Sequence, residues 1–331
     1  MKNFGSYPSV RLRRNRKSSW SRKLVQENNL SSSDLIWPIF ITEGKNIKEP
    51  INTMPGVFRY SLDKIEKIVE RAIRAKIPMI ALFPNTPNSK KNKLGSEALN
   101  KNNLVCRALK IIKKKYNQIG VMCDVALDPY TSHGHDGIIK NNYVDNDETL
   151  KVLVKQALLQ AKMGCDVIAP SDMMDGRIGL IRKALDKNGF KMVQILSYAV
   201  KYASNFYGPF RDAVGSKNSL KSNKKNYQMD YNNSMESLRE VALDIQEGAD
   251  FVMVKPGMPY LDIIKIVKDN YKVPVFAYQV SGEYSLIKNG ILKNIINEDA
   301  VIESLISFKR AGASAIVTYF AEDVAKKLNK S

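Results

Sequence analysis

Two lysines follow apolar runs that are long enough to be buried strands. Lys255 comes directly after the run at 251–254, and Lys201 follows the apolar segment at 192–198. Burial disfavours the charged form of a lysine and lowers its pKa, which leaves a nucleophilic amine that can form Schiff bases with ketones. Either lysine alone could instead reach solvent or pair with a carboxylate. Two of them at neighbouring strand ends favour Schiff-base chemistry.

The only two histidines of the chain lie in the segment 133–136, His-Gly-His-Asp. Together with Asp124, Asp128 and Asp136, they predict either a cation site or a loop that is held by hydrogen bonds. An oxygen-rich set of this kind suits Mg²⁺ better than zinc, which prefers cysteine and histidine. The segment 170–177 has the pattern of a strand-to-helix turn, but its many polar groups also allow a functional role.

The elements that must position these residues alternate between strand and helix. Eight apolar segments predict strands at 35–41, 78–83, 121–127, 166–170, 192–198, 251–255, 273–280 and 315–320. Helical patterns lie between them at 62–76, 96–116, 147–163, 177–187, 234–248, 260–270 and 298–311. Because repeated alternation implies a parallel sheet and a glycine-rich dinucleotide turn is missing, we predict an α/β fold of the (β/α)8 TIM-barrel type.

Two segments lie outside this repeat. Residues 1–30 are basic with little apolar periodicity, and predict an extended N-terminal arm for oligomer contacts, ahead of a catalytic barrel domain at 31–331. Residues 208–233 form a long polar connection after the fifth strand, which predicts an active-site lid. The lid carries basic side chains that could hold a substrate carboxylate, namely Arg211, Lys217, Lys221, Lys224 and Lys225.

Composition excludes several classes of protein. Apolar residues make up 44% of the 331 residues, which argues against global disorder. The longest apolar runs are far shorter than the roughly 20 residues of a membrane span, so we expect no membrane partner and a cytoplasmic protein. Cys106, Cys123 and Cys165 form no CxxC pair. The net charge of +19 is spread over helix-like segments without interleaved aromatic residues, so no nucleic-acid partner is expected.

Many motifs together resemble one family, the porphobilinogen synthases, also called 5-aminolevulinate dehydratases. The matching segments are 54–57, 95–98, 124–130, 132–137, 170–177, 197–204, 207–212, 227–229, 252–257, 278–284 and 309–313. The resemblance implies a (β/α)8 barrel with an N-terminal arm, usually assembled as a homo-octamer. It also implies the condensation of two 5-aminolevulinate molecules to porphobilinogen with loss of water, in tetrapyrrole and haem synthesis, without an organic cofactor. A transit peptide removed from a longer precursor would place the chain in an organelle stroma.

The resemblance also implies roles for individual residues. Lys255 and Lys201 look like the Schiff-base lysines of the first and second substrate sites. The remaining matches are polar, basic or aromatic groups around the two substrates: Ser281 and Tyr319 at the first carboxylate, Arg211, Lys224 and Gln228 at the second, Asp124, Ser171 and Asp136 near the reacting groups, and Phe210 in the lid.

The metal region departs from the zinc-dependent members of that family. These have cysteines where this chain has Ala126, Asp128 and Asp136, so a catalytic zinc is not expected. The pattern resembles the aspartate-rich branch, in which Mg²⁺ is an allosteric activator and Glu240 aligns with the glutamate of the outer magnesium site. Whether Asp128 or Asp136 also holds a cation stays open.

The main alternative is another Schiff-base barrel enzyme, such as an aldolase or lyase acting on a keto acid. One lysine would suffice for that chemistry, whereas a two-site synthase requires both Lys201 and Lys255. A nucleic-acid-binding protein without catalysis is a second alternative, and it leaves the strand-end lysines without a role.

Overall fold

A closed parallel β-barrel forms the centre of the molecule in the computed structural model, which describes residues 5–215 and 223–330. The barrel strands are Leu35–Thr42, Met79–Asn85, Gly120–Val125, Val167–Pro170, Gln194–Lys201, Phe251–Lys255, Val275–Tyr278 and Ala315–Val317. Neighbours pair in parallel, and the eighth strand closes on the first, where Leu35 lies opposite Ile316. The predicted (β/α)8 fold is confirmed.

The barrel strands are apolar along most of their length because both faces are covered. All eight residues of the first strand, Leu35–Thr42, are buried. Its Phe40 ring lies 6.0 Å from that of Phe83 on the second strand, measured between ring centroids. Continuous apolar patterns are typical of parallel strands packed on two sides. This packing holds the carboxyl ends of the strands in fixed positions.

Helices cover the outside of the barrel. The longer ones are Ile65–Arg74, Leu104–Lys115, Asn146–Lys162, Arg177–Lys187, Met235–Gln246, Leu261–Asn270, Ser281–Leu292, Asp299–Ala311 and Ala321–Leu328. The sequence predicts all of these except Ser281–Leu292 and Ala321–Leu328. It also predicts one helix at 96–116, where the structure has a 3-10 turn at Ser96–Leu99 before the helix begins at Leu104.

The helix Ser281–Leu292 begins only two residues after the seventh strand ends. Gly282 and Gly290 lower its intrinsic helix propensity, which explains why its sequence does not predict a helix. The structure stabilises its first turn through Glu283, whose carboxylate accepts the backbone N–H of Val280. A side chain at the third helical position that reaches back in this way is one half of a capping box.

The N-terminal segment lies on the surface. Its described part has a 3-10 turn at Leu12–Arg16 and a short helix at Ser19–Leu24, where the sequence predicts an extended arm. Trp20 and Leu24 expose 66% and 78% of their surface. Exposed apolar side chains of this size are common on surfaces that another chain covers.

The described parts of the 208–233 segment, 208–215 and 223–233, lie over the carboxyl end of the barrel. It begins with the short helix Gly208–Ala213, and it returns beside the fifth strand, where the Met229 N–H donates to the Lys201 carbonyl at 3.0 Å. Lys217 and Lys221, two of the predicted carboxylate ligands, lie outside the described residues. In the described ranges we find no helix of the length and apolarity that a membrane crossing requires.

Candidate active site

Lys201 and Lys255 are the last residues of neighbouring barrel strands and lie opposite each other in the sheet. Both are almost fully buried, with 6% and 7% of their surface exposed. In (β/α)8 barrels the carboxyl ends of the strands form the face that carries the active site. The structure therefore brings the two predicted lysines together at the mouth of the barrel.

A β-bulge in the fifth strand determines which way Lys201 points. Val252 of the sixth strand pairs with Ser197, but Val254 pairs with Val200, so the fifth strand holds one extra residue. Ser197 faces the surrounding helices. In a regular strand Lys201 would lie on the same face as Ser197, because side chains alternate with a period of two. The extra residue reverses the alternation and directs Lys201 into the mouth, and bulges beside active sites commonly re-aim a side chain in this way.

Aromatic rings surround the Lys255 amine. Its Nζ lies 4.6 to 5.5 Å from the centroids of four rings, those of Tyr198, Tyr207, Phe210 and Tyr278. Burial, together with the positive charge of Lys201, lowers the pKa of Lys255 to about 7. A large share of this amine is therefore neutral near neutral pH. A neutral, desolvated lysine is the nucleophile that Schiff-base chemistry requires.

Lys201 has polar surroundings instead. Its Nζ lies 3.3 Å from Asp136 Oδ2 and donates a hydrogen bond to the backbone carbonyl of Ser171. The Asp136 carboxylate is an ion-pair partner of this amine and only a weak base, because its own pKa is lowered. The two amines are thus placed for different parts of a reaction.

Asp136 is fully buried at the centre of a polar network. Besides Lys201, its carboxylate accepts hydrogen bonds from Lys224 at 2.6 Å and from Gln228 at 3.3 Å. Burial alone would raise the pKa of Asp136. The charges of Lys201 and Lys224 outweigh burial and hold that pKa well below its usual range. One carboxylate therefore connects three of the predicted site residues.

Asp124 lies in the third strand and Asp128 follows it, both close to the lysines. Burial and the charge of Asp128 raise the pKa of Asp124 to about 7, against the effect of a hydrogen bond with Ser171. Burial also raises the pKa of Asp128, whose Oδ2 lies 3.6 Å from the Lys224 Nζ. A carboxyl group that titrates near neutral pH can both give and take protons at the working pH.

Ser281 and Tyr319 lie on the Lys255 side of the mouth. The Tyr319 hydroxyl is 3.1 Å from the hydroxyl of Tyr278, and Ser281 Oγ accepts the backbone N–H of Phe210 at 2.8 Å. The predicted carboxylate-binding groups are thus next to the aromatic rings around Lys255. Hydroxyl groups rotate, so both can also donate to an incoming carboxylate.

The short helix Gly208–Ala213 places Phe210 over the barrel interior and Arg211 on the same turn. Arg59 holds the end of this helix, since its Nε donates to the Ala213 carbonyl at 2.7 Å and its Nη2 to the Asp212 carbonyl at 2.6 Å. Arg59 is 92% buried. Arg59 lies on the short strand Phe58–Ser61 and is not among the predicted site residues, because nothing in the sequence connects this strand to a helix end 154 positions later.

Arg211 and Lys224 lie close enough for their charges to interact. Burial and the charge of Arg211 lower the pKa of Lys224, but Asp136 and Asp128 outweigh them and raise it above its usual value. Lys224 is therefore a cation held between two carboxylates. The predicted basic pair is assembled in the structure, although Lys224 now pairs with protein groups.

The loop that contains the two histidines is held by hydrogen bonds. His135 Nδ1 lies 3.1 Å from the Tyr227 hydroxyl, and His133 Nε2 lies 3.2 Å from the Lys93 carbonyl. Burial lowers the pKa of both histidines. Within 5–215 and 223–330, no three His, Cys, Asp or Glu side chains are grouped so that they could share a metal ion. This geometry favours the structured loop over the cation site.

Glu240 lies outside the barrel, on the helix Met235–Gln246. It borders a cavity of about 340 Å³ that also includes Asp175 and Glu236 among its lining residues. Burial raises the pKa of Glu240 to about 7, against the charge of Arg177. Mg²⁺ usually keeps several of its waters and binds through one or two carboxylates. Carboxylates without cysteine or histidine at the edge of this cavity fit such an ion better than they fit zinc.

The tyrosines around Lys255 are not among the predicted site residues. Tyr198, Tyr207 and Tyr278 all lie in the motifs used above, but an apolar strand pattern does not separate a core aromatic residue from one beside a reactive amine. The bulge between Ser197 and Val200, which no sequence pattern marks, brings Tyr198 and Lys201 to the same side of the strand.

A (β/α)8 barrel with buried lysine amines at adjacent strand ends is typical of enzymes that work through imines, a class that includes lyases and aldolases. The family model for delta-aminolevulinic acid dehydratase matches residues 9–327. The chain is 57% identical over 321 residues to the delta-aminolevulinic acid dehydratase of Bradyrhizobium diazoefficiens, with 97% of this chain and 91% of the relative covered. It is 49% identical to that of Rhodobacter capsulatus, with 97% of each covered.

A solved structure of the Toxoplasma gondii delta-aminolevulinic acid dehydratase (porphobilinogen synthase), in complex with the reaction product porphobilinogen, superimposes with a TM-score of 0.95. It is 44% identical in sequence, and the match covers 97% of this chain and 92% of that one. The chain therefore belongs to the delta-aminolevulinic acid dehydratase family. The members are porphobilinogen synthases, hydro-lyases of tetrapyrrole synthesis.

Proposed function

We propose that this chain condenses two molecules of 5-aminolevulinate to porphobilinogen with loss of water, as a step of haem and other tetrapyrrole synthesis. The observation that carries the proposal is the pair of buried amines, Lys201 and Lys255, at adjacent strand ends. Each substrate molecule has one ketone, so two ketones can be held as two imines in one site. Holding both in a fixed orientation replaces a bimolecular reaction with an intramolecular one.

Lys255 takes the first substrate in this proposal. Its lowered pKa supplies the neutral amine, and the aromatic rings around it exclude water from the imine. Ser281 and Tyr319 donate hydrogen bonds to the carboxylate of that substrate. Phe210 covers the site from the short helix Gly208–Ala213.

Lys201 takes the second substrate, with Asp136 as the ion-pair partner that orients its amine. Arg211 and Lys224 bind the second carboxylate through charge-assisted hydrogen bonds, with Gln228 beside them. Lys224 then exchanges one protein carboxylate for a substrate carboxylate. Arg211 supplies the positive charge that balances the added carboxylate.

Asp124 and Ser171 lie at the boundary of the two substrate positions. Asp124 has a pKa near 7, which suits proton transfer to or from the reacting amine and carbon atoms. Ser171 contributes its side chain to Asp124 and its backbone carbonyl to Lys201.

We further propose Mg²⁺ as an allosteric activator that binds at Glu240 with most of its waters, and we propose no catalytic zinc and no organic cofactor. The donors at the mouth are oxygen and amine groups, which zinc binds less readily than thiolates. An ion that binds only the assembled state stabilises it by mass action. The assembly we propose is a homo-octamer with contacts through the N-terminal arm, located in a cytosol or an organelle stroma.

The test is porphobilinogen formation from 5-aminolevulinate by chelator-treated protein, without metal, with Mg²⁺ and with Zn²⁺. Product that rises with Mg²⁺ and does not respond to Zn²⁺ supports the synthase and the magnesium site. Metal-independent product supports the synthase alone. If no condition gives product, the proposal fails and a one-lysine aldolase replaces it, which activity on other keto acids would reveal.

A further inference from the structure

The Tyr198 hydroxyl is a buried polar group without a hydrogen-bond partner among the described residues. Tyr198 is fully buried within the fifth strand, three residues before Lys201. An unsatisfied polar group of this kind costs about 1 to 3 kcal/mol, and native proteins retain few of them without a functional reason. The Oδ1 atom of Asp124 is a second unpartnered atom in the same region.

The position of Tyr198 relative to Lys255 indicates what the hydroxyl is for. The Lys255 Nζ lies 5.0 Å from the Tyr198 ring centroid, and that ring lies 6.5 Å from the ring of Tyr278. The other two tyrosines around the amine already use their hydroxyl groups, since Tyr207 donates to the Lys255 carbonyl and Tyr278 bonds with Tyr319. In this aromatic cluster, as far as the structure describes it, only the Tyr198 hydroxyl is left to bind a ligand.

We propose that Tyr198 is a catalytic residue of the Lys255 site, and that its hydroxyl donates a hydrogen bond to the ketone oxygen that Lys255 displaces. This inference rests on the proposed function, because it assumes that Lys255 attacks a ketone. It goes further by assigning the group that stabilises the oxygen during attack and departure.

The atoms balance as follows. The Lys255 nitrogen forms a bond to the ketone carbon, the carbonyl electron pair moves to oxygen, and one N–H proton transfers to that oxygen to give a carbinolamine. The Asp124 carboxylic acid then supplies a second proton to the carbinolamine oxygen, and the carbon–oxygen bond breaks. Water departs, and a protonated imine remains on Lys255. The Tyr198 hydroxyl stays a donor to the same oxygen throughout, and it gives up no proton.

Electrostatics keep Tyr198 in the donor form. Burial and the nearby charge of Asp124 both raise the pKa of Tyr198 well above its ordinary value. The phenol is therefore neutral at every pH at which the enzyme works. A preorganised neutral donor of this kind stabilises charge that develops on a carbonyl oxygen, as the donors of an oxyanion hole do.

Tyr198→Phe tests the proposal with 4-oxopentanoate, the keto acid that lacks the amino group of 5-aminolevulinate and so stops at the imine. Samples are quenched with borohydride at set times, and intact mass with peptide mapping gives the rate of adduct formation at Lys255. We expect the variant to form this adduct about tenfold to a hundredfold more slowly, since removal of one such donor commonly costs about a hundredfold or more. Tyr271→Phe, which removes a hydroxyl bound to the Leu238 carbonyl on the outside of the barrel, should match the wild type.

Four outcomes separate the possibilities. A slow Lys255 adduct in Tyr198→Phe, with a melting temperature equal to or above that of the wild type, supports the proposal, because deletion of an unsatisfied hydroxyl does not destabilise the fold. An adduct that forms at the wild-type rate overturns it. A wild-type protein that forms no adduct and no porphobilinogen contradicts the proposed function itself. A Tyr198→Phe protein that unfolds also contradicts the proposal, because the hydroxyl would then support the fold and would not be free for a ligand.

Discussion

The nucleophilicity of Lys255 depends on its neighbours more than on its own chemistry. Burial is the main cause of its lowered pKa, and the charge of Lys201 is the second. In the folded protein the neutral amine therefore increases as pH rises through about 7, and an ordinary lysine would become neutral only near about 10.4. We expect the rate of borohydride-trapped adduct formation at Lys255 to rise with pH through about 7 and to level off above it. A rise centred near pH 10 would contradict the lowered pKa.

Removal of the Lys201 side chain should shift the pH dependence of adduct formation at Lys255. Lys201→Met deletes a positive charge that disfavours protonation of Lys255, so the pKa of Lys255 should increase and adduct formation should move to higher pH. Condensation to porphobilinogen should be lost in the same variant, because only one ketone can then be held as an imine. A Lys201→Met protein that still turns over would favour the one-lysine aldolase alternative. Lys162→Met, a lysine at the end of an outer helix, is the control and should leave the profile unchanged.

Asp136 is the residue whose loss should cost most stability at the mouth. Asp136→Asn leaves the ammonium groups of Lys201 and Lys224 without their shared carboxylate, and breaking a buried ion pair from one side costs about 3 to 5 kcal/mol. Urea unfolding measures the loss. The double variant with Lys224→Met should recover part of it, and two strictly additive losses would show that the pair does not interact.

Arg59 donates hydrogen bonds to the end of the short helix Gly208–Ala213. The position of this helix over the barrel therefore depends on a residue that is distant in sequence. Arg59→Met should leave the barrel folded and weaken the hold on Phe210 and Arg211. Hydrogen bonds from a charged group contribute about 1.5 to 3 kcal/mol, so we expect kcat/KM to fall about tenfold or more. Trypsin cleavage after Arg211 should become faster. Arg71→Met, which breaks an ion pair with Glu322 elsewhere, should affect neither measurement.

The start of the helix Ser281–Leu292 packs directly against the residues that precede the short helix Gly208–Ala213. A Cβ atom on Gly282 would lie 2.4 Å from the Phe206 carbonyl oxygen, which is backbone and cannot rotate away. Gly282→Ala should therefore lower stability by about 1 to 3 kcal/mol and reduce turnover, measured by thermal unfolding and porphobilinogen formation. Gly290→Ala in the same helix meets only the Ile296 side chain and should cost less.

Elements with strong local patterns could be predicted from the sequence, and elements defined by distant contacts could not. The strand end at Lys255 was predictable because an apolar run leads directly into this lysine, whereas the predicted fifth strand stopped at 198, three residues before Lys201. The helix that begins at Ser281 was not predictable, since its cap and its packing compensate for two glycines. The contact between Arg59 and the Ala213 carbonyl likewise depends on two segments that only the closed barrel brings together.

The lysine site at the barrel mouth and the cavity beside Glu240 lie on neighbouring elements of the same barrel. Glu240→Gln should abolish any activation by Mg²⁺ and any rise in melting temperature with Mg²⁺, because a neutral amide is a weak ligand for this ion. Basal turnover without metal should be retained, since Glu240 contacts neither lysine in our proposal. Glu236→Gln removes a negative charge from the same cavity, so it is the control that separates loss of charge from loss of the proposed ligand Glu240. Continued activation by Mg²⁺ in Glu240→Gln would place the ion elsewhere.

The irregular fifth strand limits how this site can be transferred to another scaffold. The Ser197 side chain points to the surrounding helices and the Lys201 side chain points into the mouth. The two residues are four positions apart, so an ideal strand would place both side chains on the same face. A barrel rebuilt from ideal strands could keep one of these side chains in place and would misdirect the other. A designer who copies the site residues but omits the bulge residue of the fifth strand would obtain a barrel in which only one of the two lysine amines points into the mouth.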